Sequence, residues 1–359
     1  MHHIFNKICS FVLKYIEYAM RRAHSLGFIA LILFFFSFST YSDTAFTQRK
    51  DVQLFIKSMV KQYHFSAREL TATMNQVVIQ PQIIESMEKP YEKKNWDVYR
   101  DIFLTPARLN SGLNYWVANR KALEKAQKKY GVPPEIIVAI LGVETLYGEK
   151  QGEYRVLDAL ATLAFNYPKR SPYFTKELKE YLLLCREHGV PATQYKGSYA
   201  GAIGQPQFMP SSYRNFAVDF NNKGKRDLVT NNDDSIGSIA NYFYHHGWKS
   251  NDGIAQHAVL RGKQYKYIHM NPRTANYSYS QLLANGVRPV TAAHNHPSRA
   301  GLIELTTAQG NEYWIAYPNF FVITRYNSSP QYALVVYLLA QQLKQHWTAM
   351  NHKKHRAYT

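Results

Sequence analysis

The 359-residue chain is poor in cysteine, short of acidic residues and free of any internal repeat. Two cysteines cannot build a disulfide scaffold. Cys9 lies in a segment that reads as a targeting signal, so only Cys185 remains and the exported body is expected to hold no internal disulfide. No zinc, RNA-recognition or helix-turn-helix spacing is present. Acid is the scarcest charged class: 25 Asp and Glu stand against 43 Lys and Arg, a formal net charge of +18. That deficit implies an anionic partner, whether nucleic acid, a membrane surface or an acidic polymer. What is there is ordinary in its apolar share, 46% hydrophobic, which excludes a wholly disordered or collagen-like chain. Tyrosine is plentiful at 28 residues. The length suggests about two compact units with chain enough to bury a core.

Leu26 to Phe38 is a 13-residue apolar run without charge. It is too short to span a bilayer comfortably but suits the apolar region of a signal peptide, with Arg21 and Arg22 as its basic flank. Ser39, Thr40 and Ser42 place a cleavage site near Ser42–Asp43, and Met20 alone would start a conventional signal. Residues 1–42 are therefore read as a signal peptide or, alternatively, an uncleaved inner-membrane anchor. No cysteine follows the run, so the chain is not a lipoprotein. Removing 1–42 takes away Lys7, Lys14, Arg21, Arg22 and Glu17, leaving 39 basic and 24 acidic residues, a net +15. The basicity belongs to the exported body, and export argues against genomic DNA as its partner.

Residues 50–132 read as several amphipathic helices, with Leu54, Phe55, Met59 and Val60 at helical spacing and a longer run from Tyr115 to Tyr130. Gly131 ends that run and Pro133-Pro134 opens the next helix. Further helices are expected around 157–165, 174–187 and 231–246. Helical periodicity fades over 251–317, where residues 301–317 read as a hairpin about Gln309-Gly310-Asn311. Helix returns with Ser329 as N-cap and Pro330 at its first position. Residues 348–359 read as a disordered basic tail. The architecture is mostly α with a small β insertion.

The helix expected over Pro133–Gly148 is apolar around nearly its whole circumference, which marks it as buried. Glu144 sits near its C-terminal end. Burial and the helix dipole there both disfavour a carboxylate, as a general acid at neutral pH requires. A structural glutamate, paired with an arginine or capping a loop, fits the same pattern. Two other stretches favour chemistry. Residues 197–213 (GSYAGAIGQPQFMPSSY) combine glycines that let backbone approach a ligand with Ser198, Gln205 and Gln207 as hydrogen-bonding groups. Residues 165–173 (FNYPKRSPY) form a turn with two cations and two tyrosines. Amides and aromatic rings suit a carbohydrate better than a phosphate.

These segments, with DALATLAFNYP (158–168), IGSIANYF (236–243) and PNFFVITRYN (318–327), resemble the lytic murein transglycosylase B family over roughly residues 50–347. The resemblance implies a periplasmic enzyme of mainly α class. It would have an N-terminal helical domain over 50–132, a lysozyme-like core over 133–250 and 318–347, and a small inserted β domain over 251–317. Its implied reaction cleaves the β-1,4 bond between N-acetylmuramic acid and N-acetylglucosamine and leaves a 1,6-anhydro end. Glu144 would act as acid and then base. Ser198 and Gln207 would bind sugar beside it. Tyr242, Tyr326, Asn327 and Tyr332 would line the groove, and Tyr99, Tyr173, Phe208, Lys169 and Arg170 would extend it. Lys169 stands where the family commonly has arginine, and a lysine lacks the fork that grips a carboxylate at two points. Peptidoglycan strands are the implied partner, with cell-wall synthesis or hydrolysis proteins beside them. No nucleic acid is expected, and the chain is expected to be a monomer.

No cofactor is required on this reading. The family's EF-hand-like loop corresponds to Asp219–Asp234, where Asp219, Asn221, Gly224 and Asp234 fit the pattern for calcium or sodium. Lys223 occupies the fifth position, where an acid is expected. Its ammonium is expected to replace the ion and pair directly with Asp219 and Asp234. A solvated turn is the plainer alternative. A hydrolytic muramidase and a non-catalytic peptidoglycan-binding protein are the competing functions.

Overall fold

The computed structural model describes residues 46–89, 94–291 and 297–356. The signal-like segment 1–42 lies outside the described residues. Helices α1 (Lys50–Tyr63), α2 (Ala67–Met74), α3 (Pro81–Glu88), α4 (Trp96–Phe103), α5 (Pro106–Ala118) and α6 (Arg120–Tyr130) come first. Local chemistry marks their ends. Ser66 and Thr105 accept backbone N–H bonds from Glu69 and Arg108, and Pro81 and Pro106 open their helices. Gly131 closes α6 at φ 73°, a conformation that glycine adopts without strain. The buried face of α1 is Val52, Phe55, Ile56 and Met59; Leu54, expected there, is 57% exposed. Asp158 and Thr162 accept the backbone N–H groups of Val78 and Gln80 at 3.0 Å each, which ties these helices to the centre of the molecule.

The centre consists of α7 (Pro134–Thr145), α8 (Val156–Asn166), α9 (Ser171–His188), α10 (Pro210–Phe216) and α11 (Asn232–His245). A short antiparallel pair, β1 (Tyr154–Arg155) and β2 (Lys196–Gly197), links the loops on either side of α8 and α9. Next come β3 (Ala255–Leu260), β4 (Tyr277–Ser278), α12 (Tyr279–Ala284), β5 (Val287–Pro289), β6 (Arg299–Thr307) and β7 (Gly310–Ala316). They build an antiparallel sheet of order β4-β6-β7-β3-β5 with its own small core around Leu282, Leu302 and Ile315. The expected hairpin is β6–β7. Its turn is Ala308-Gln309, slightly upstream of the predicted one, and Gly310 at φ 125° begins the second strand.

Helices α13 (Pro318–Tyr326) and α14 (Pro330–Arg356) complete the chain. Ser329 caps α14 through the Tyr332 N–H. The residues read as a tail from 348 continue this helix to Arg356; residues 357–359 lie outside the described residues. No glycine or proline stops it, and Trp347 stacks on Trp116 with ring centroids 4.6 Å apart. The class is mainly α with a small sheet, as expected.

Candidate active site

Helix α7 is buried at every position but one, and that one is Glu144, which is half-buried. Just beyond it the chain breaks sharply: Leu146, Tyr147 and Gly148 lie at φ 51°, 62° and 96°. Two successive non-glycine residues in the left-handed region are strained, and such strain persists only where the surroundings enforce it. Here the Tyr147 ring is wedged between α5 and α7. A Cβ on Gly112 or Gly142 would fall 2.4 or 2.5 Å from the Tyr147 hydroxyl, so only glycine leaves the slot open. That hydroxyl donates to the Arg108 carbonyl at 2.9 Å, and Arg108 Nε donates back to the Gly142 carbonyl at 3.0 Å. Thr145 Oγ1 accepts from Gly148 N at 3.0 Å and donates to the Gln205 carbonyl at 2.8 Å. The helix end that carries Glu144 is thereby fastened to the glycine-rich loop.

Tyr332, on the first turn of α14, donates its hydroxyl to Glu144 Oε1 at 2.5 Å. Its ring stacks on Tyr326 at 6.5 Å and 8°, and the Tyr326 hydroxyl donates to the Pro206 carbonyl. Burial first, and then the Glu144 charge, push both hydroxyls well above their ordinary range. Both therefore stay protonated, and Tyr332 is a fixed donor to the carboxylate. Tyr242 packs on Tyr326 at 5.1 Å and donates to the Arg325 carbonyl at 2.6 Å. Asn327 Oδ1 accepts from Ser329 N at 3.0 Å, at the corner between α13 and α14.

Gln207 sits at φ 51°, and its side-chain amide donates to the carbonyls of Gln151 and Gly204 at 3.0 and 2.9 Å. Ser198 Oγ accepts from the backbone N–H of Ala200 and Ala202. Both residues shape the loop beside α7. Gln205 is buried and donates to Asn232 Oδ1 at 2.9 Å, so it braces the loop instead of facing a ligand.

Two residues drawn into the groove by resemblance lie beneath it. Phe208 is 2% exposed and packs under Tyr242 and Tyr326 at 5.6 and 5.7 Å. Tyr99 is 1% exposed, against Trp96 and Phe103. Neither can offer a ring face to a sugar in this geometry, and Tyr242 and Tyr332, also buried, present little more than an edge. Arg170 lies over Tyr173 at 4.4 Å, and Tyr173 is 38% exposed. Lys169 is exposed and reaches Glu88 at 3.3 Å. Glu149 and Glu153 are exposed, as expected. Sequence reasoning missed Glu177, a buried carboxyl that accepts from Ser211 N and Oγ at 2.9 and 2.7 Å. Burial pushes its pKa up despite these bonds. The only sequence signal was an acid on the apolar face of an amphipathic helix.

The Asp219–Asp234 loop is closed by its own backbone. Asp219 accepts the N–H groups of Lys223 and Gly224 at 2.9 and 2.6 Å. Asp234, fully buried, accepts those of Phe220 and Asp227 at 2.8 and 2.9 Å. The expected pairing of the Lys223 ammonium with both acids is therefore not what satisfies them. Lys223 contributes its backbone N–H, and its side chain is exposed.

A transglycosylase SLT domain matches residues 47–341. The chain belongs to this transglycosylase family. The membrane-bound lytic murein transglycosylase B of Escherichia coli (strain K12) is 42% identical to this SLT-family chain over 306 residues, covering 82% of it and 83% of the relative. Soluble lytic transglycosylase SltB1 from Pseudomonas aeruginosa is similar in structure, with a TM-score of 0.76 at 39% identity over 82% of this chain and 98% of that one. Escherichia coli Slt35, solved in complex with calcium, gives 0.75 at 40% identity over 84% and 95%.

In this SLT-family chain the 219–234 loop presents a divalent ion with a poorer ligand set than the calcium pattern. Every carboxylate oxygen of Asp219 and Asp234 already accepts a backbone N–H, and the fifth position carries a cation. Among the described residues no three His, Cys, Asp or Glu side chains converge as a metal-binding group. Asn221 Oδ1 is buried without a partner among the described residues, but one neutral oxygen does not make a calcium site.

Proposed function

We propose that the protein is a lytic transglycosylase of peptidoglycan, cutting the β-1,4 bond between N-acetylmuramic acid and N-acetylglucosamine and leaving 1,6-anhydromuramic ends. The observation that carries this reading is a single carboxyl, Glu144, at the end of a helix otherwise buried, with one oxygen held by Tyr332. Ordinary glycosidases need two carboxyls, about 5–5.5 Å apart for retention or roughly 6.5–9.5 Å for inversion. The substrate itself can replace the second.

Glu144 gives its proton to the glycosidic oxygen as the bond to the anomeric carbon breaks. The 2-acetamido oxygen of the muramic sugar supports that carbon. The Glu144 carboxylate then takes the proton of the 6-hydroxyl as O6 closes on the anomeric carbon. One proton leaves and one returns, and no water is consumed. The Tyr332 O–H holds Oε1 through both halves, so the carboxylate formed midway has a ready donor. Ser198 and Gln207 bind sugar beside Glu144, with Tyr242, Tyr326 and Asn327 along the groove. Arg170, Lys169 and Tyr173 take the carboxylates and backbones of stem peptides. Tyr99 and Phe208 support the tyrosines from below. The enzyme works in the cell envelope after export, and its chemistry requires neither calcium nor sodium.

Digestion of purified sacculi with wild type and Glu144→Gln tests the reading. Wild type should release muropeptides one water lighter than hydrolytic products, and Glu144→Gln should release none. Reducing ends from the wild type would make it a hydrolase, and an active Glu144→Gln would move the acid elsewhere.

A further inference from the structure

A cavity of about 860 Å³ lies away from Glu144. It lies between the end of α9, β2 and the 219–230 segment, and it shares with the Glu144 site only the loop that carries Gln151 and Gly152. Its size falls in the range of built ligand pockets. Its acids are occupied. Glu187 is held by Arg214, with Arg226 3.8 Å away; Asp219 accepts two backbone N–H groups. Asp227 accepts from Val229 N and Thr230 N at 2.8 and 2.9 Å. Two cations on the same wall are not occupied: Lys196 and Lys225 are exposed, and their ammonium groups make no hydrogen bond or ion pair among the described residues.

Two polar atoms on this wall are buried without a partner among the described residues, His188 Nε2 and Gln151 Oε1. His188 is fixed by its other nitrogen, Nδ1, which lies 2.7 Å from the Tyr195 hydroxyl. Gln151 is fixed by its amide nitrogen, which donates to the Gly148 and Val229 carbonyls at 3.1 and 3.0 Å. Its Oε1 is thus an oriented acceptor that lacks a donor. Buried polar atoms are rarely left unmatched, and a site built to pair them discriminates strongly. An inorganic anion would satisfy the lysines but bring no N–H for Gln151. A short peptide ending in a free carboxylate supplies both: an anion for Lys196 and Lys225, and N–H groups for Gln151.

We infer that this cavity is a second binding site, for the carboxylate end of a short peptide. It stands independently of the chemistry at Glu144, because neither Glu144 nor Tyr332 lines it. Titration calorimetry of the purified protein at low salt with D-alanyl-D-alanine, its C-terminal amide and inorganic phosphate provides the test. The free dipeptide should bind one to one, at least tenfold tighter than the amide and than phosphate. Raised salt should weaken it, since both lysines are exposed. The double variant Lys196→Met, Lys225→Met should lose at least tenfold in this affinity while its melting temperature and glycan cleavage stay unchanged. Ser198→Ala, at the other site, should bind as wild type. No binding, equal affinity for acid and amide, tighter phosphate binding, or loss in Ser198→Ala with retention in the double lysine variant would each overturn the inference.

Discussion

Glu144 and Asp234 are both carboxyls held away from bulk water on elements of the same core, yet they are built for opposite ends. Asp234 accepts a backbone N–H on each oxygen, from Phe220 and Asp227, and is fully buried. Glu144 is half-buried and receives a tyrosine hydroxyl on Oε1. A carboxylate whose lone pairs are filled by main chain is a staple, since moving it would leave buried donors bare. A half-buried carboxyl that receives a tyrosine hydroxyl at a strained helix end can exchange a proton with a substrate. The same functional group is structural or chemical according to what fills its lone pairs.

Substitution should separate the two sharply. Glu144→Gln should lower glycan cleavage by about a thousandfold or more, in line with loss of a positioned acid–base group. Its thermal midpoint should remain near wild type. A large drop in stability with modest loss of activity would reverse the assignment. Asp234→Ala should do the opposite. Two buried N–H groups lose their acceptors, costing about 3 kcal/mol in denaturant unfolding, and the activity of the folded fraction should persist.

Tyr332→Phe probes the hydroxyl bond to Glu144 Oε1. A hydrogen bond to a charged group is worth roughly 1.5–3 kcal/mol, so kcat should fall about tenfold to a hundredfold, with an altered pH profile. An unchanged profile would reduce Tyr332 to packing.

A smaller effect concerns His188, beside the loop. Burial first, and then Arg226, hold its pKa below the ordinary value. The unfolded chain therefore takes up this proton more readily than the fold does. Stability from this source is complete above about pH 6.5 and declines as pH falls below it. His188→Gln should flatten that part of the stability–pH curve, while the activity profile set at Glu144 keeps its shape. The smallest effect is expected from calcium, which should move the melting temperature by less than about a degree at micromolar concentration. A loop whose acids are already bonded to its own amides gains little from an ion that must displace them. A shift of several degrees would show the loop to be an ion site after all.

Much of this was legible along the chain. An acid at the end of a helix apolar on every side is a local pattern, and so are the glycine-rich loop, the β6–β7 hairpin and the Ser329-Pro330 helix start. Other features were not. Tyr332 reaches Glu144 across 188 positions, and no local period reports such a contact. Aromatic residues at Tyr99 and Phe208 read the same whether they face a groove or support it from below, and only their packing in the fold shows that they lie beneath Tyr242, Tyr326 and the α4 rings. The charge on Lys223 suggested an ammonium between two acids, but the turn at Asn222 and Gly224, with φ 59° and 80°, delivers backbone N–H groups there first. The basic tail likewise read as disorder until the stacking of Trp347 on Trp116 gave its helix something to hold.

By itself the sequence determined the helical class, the acid shortage that leaves the chain positive, and a carboxyl at the C-terminal end of an apolar helix. These follow from composition and from periods of a few residues. Only the tertiary structure decided which carboxyls are spent on backbone amides, which tyrosines face Glu144, and that Gly112 and Gly142 open the slot in which Tyr147 pins the strained turn behind it. Those outcomes depend on distances between segments far apart in the chain, set by how the whole core packs.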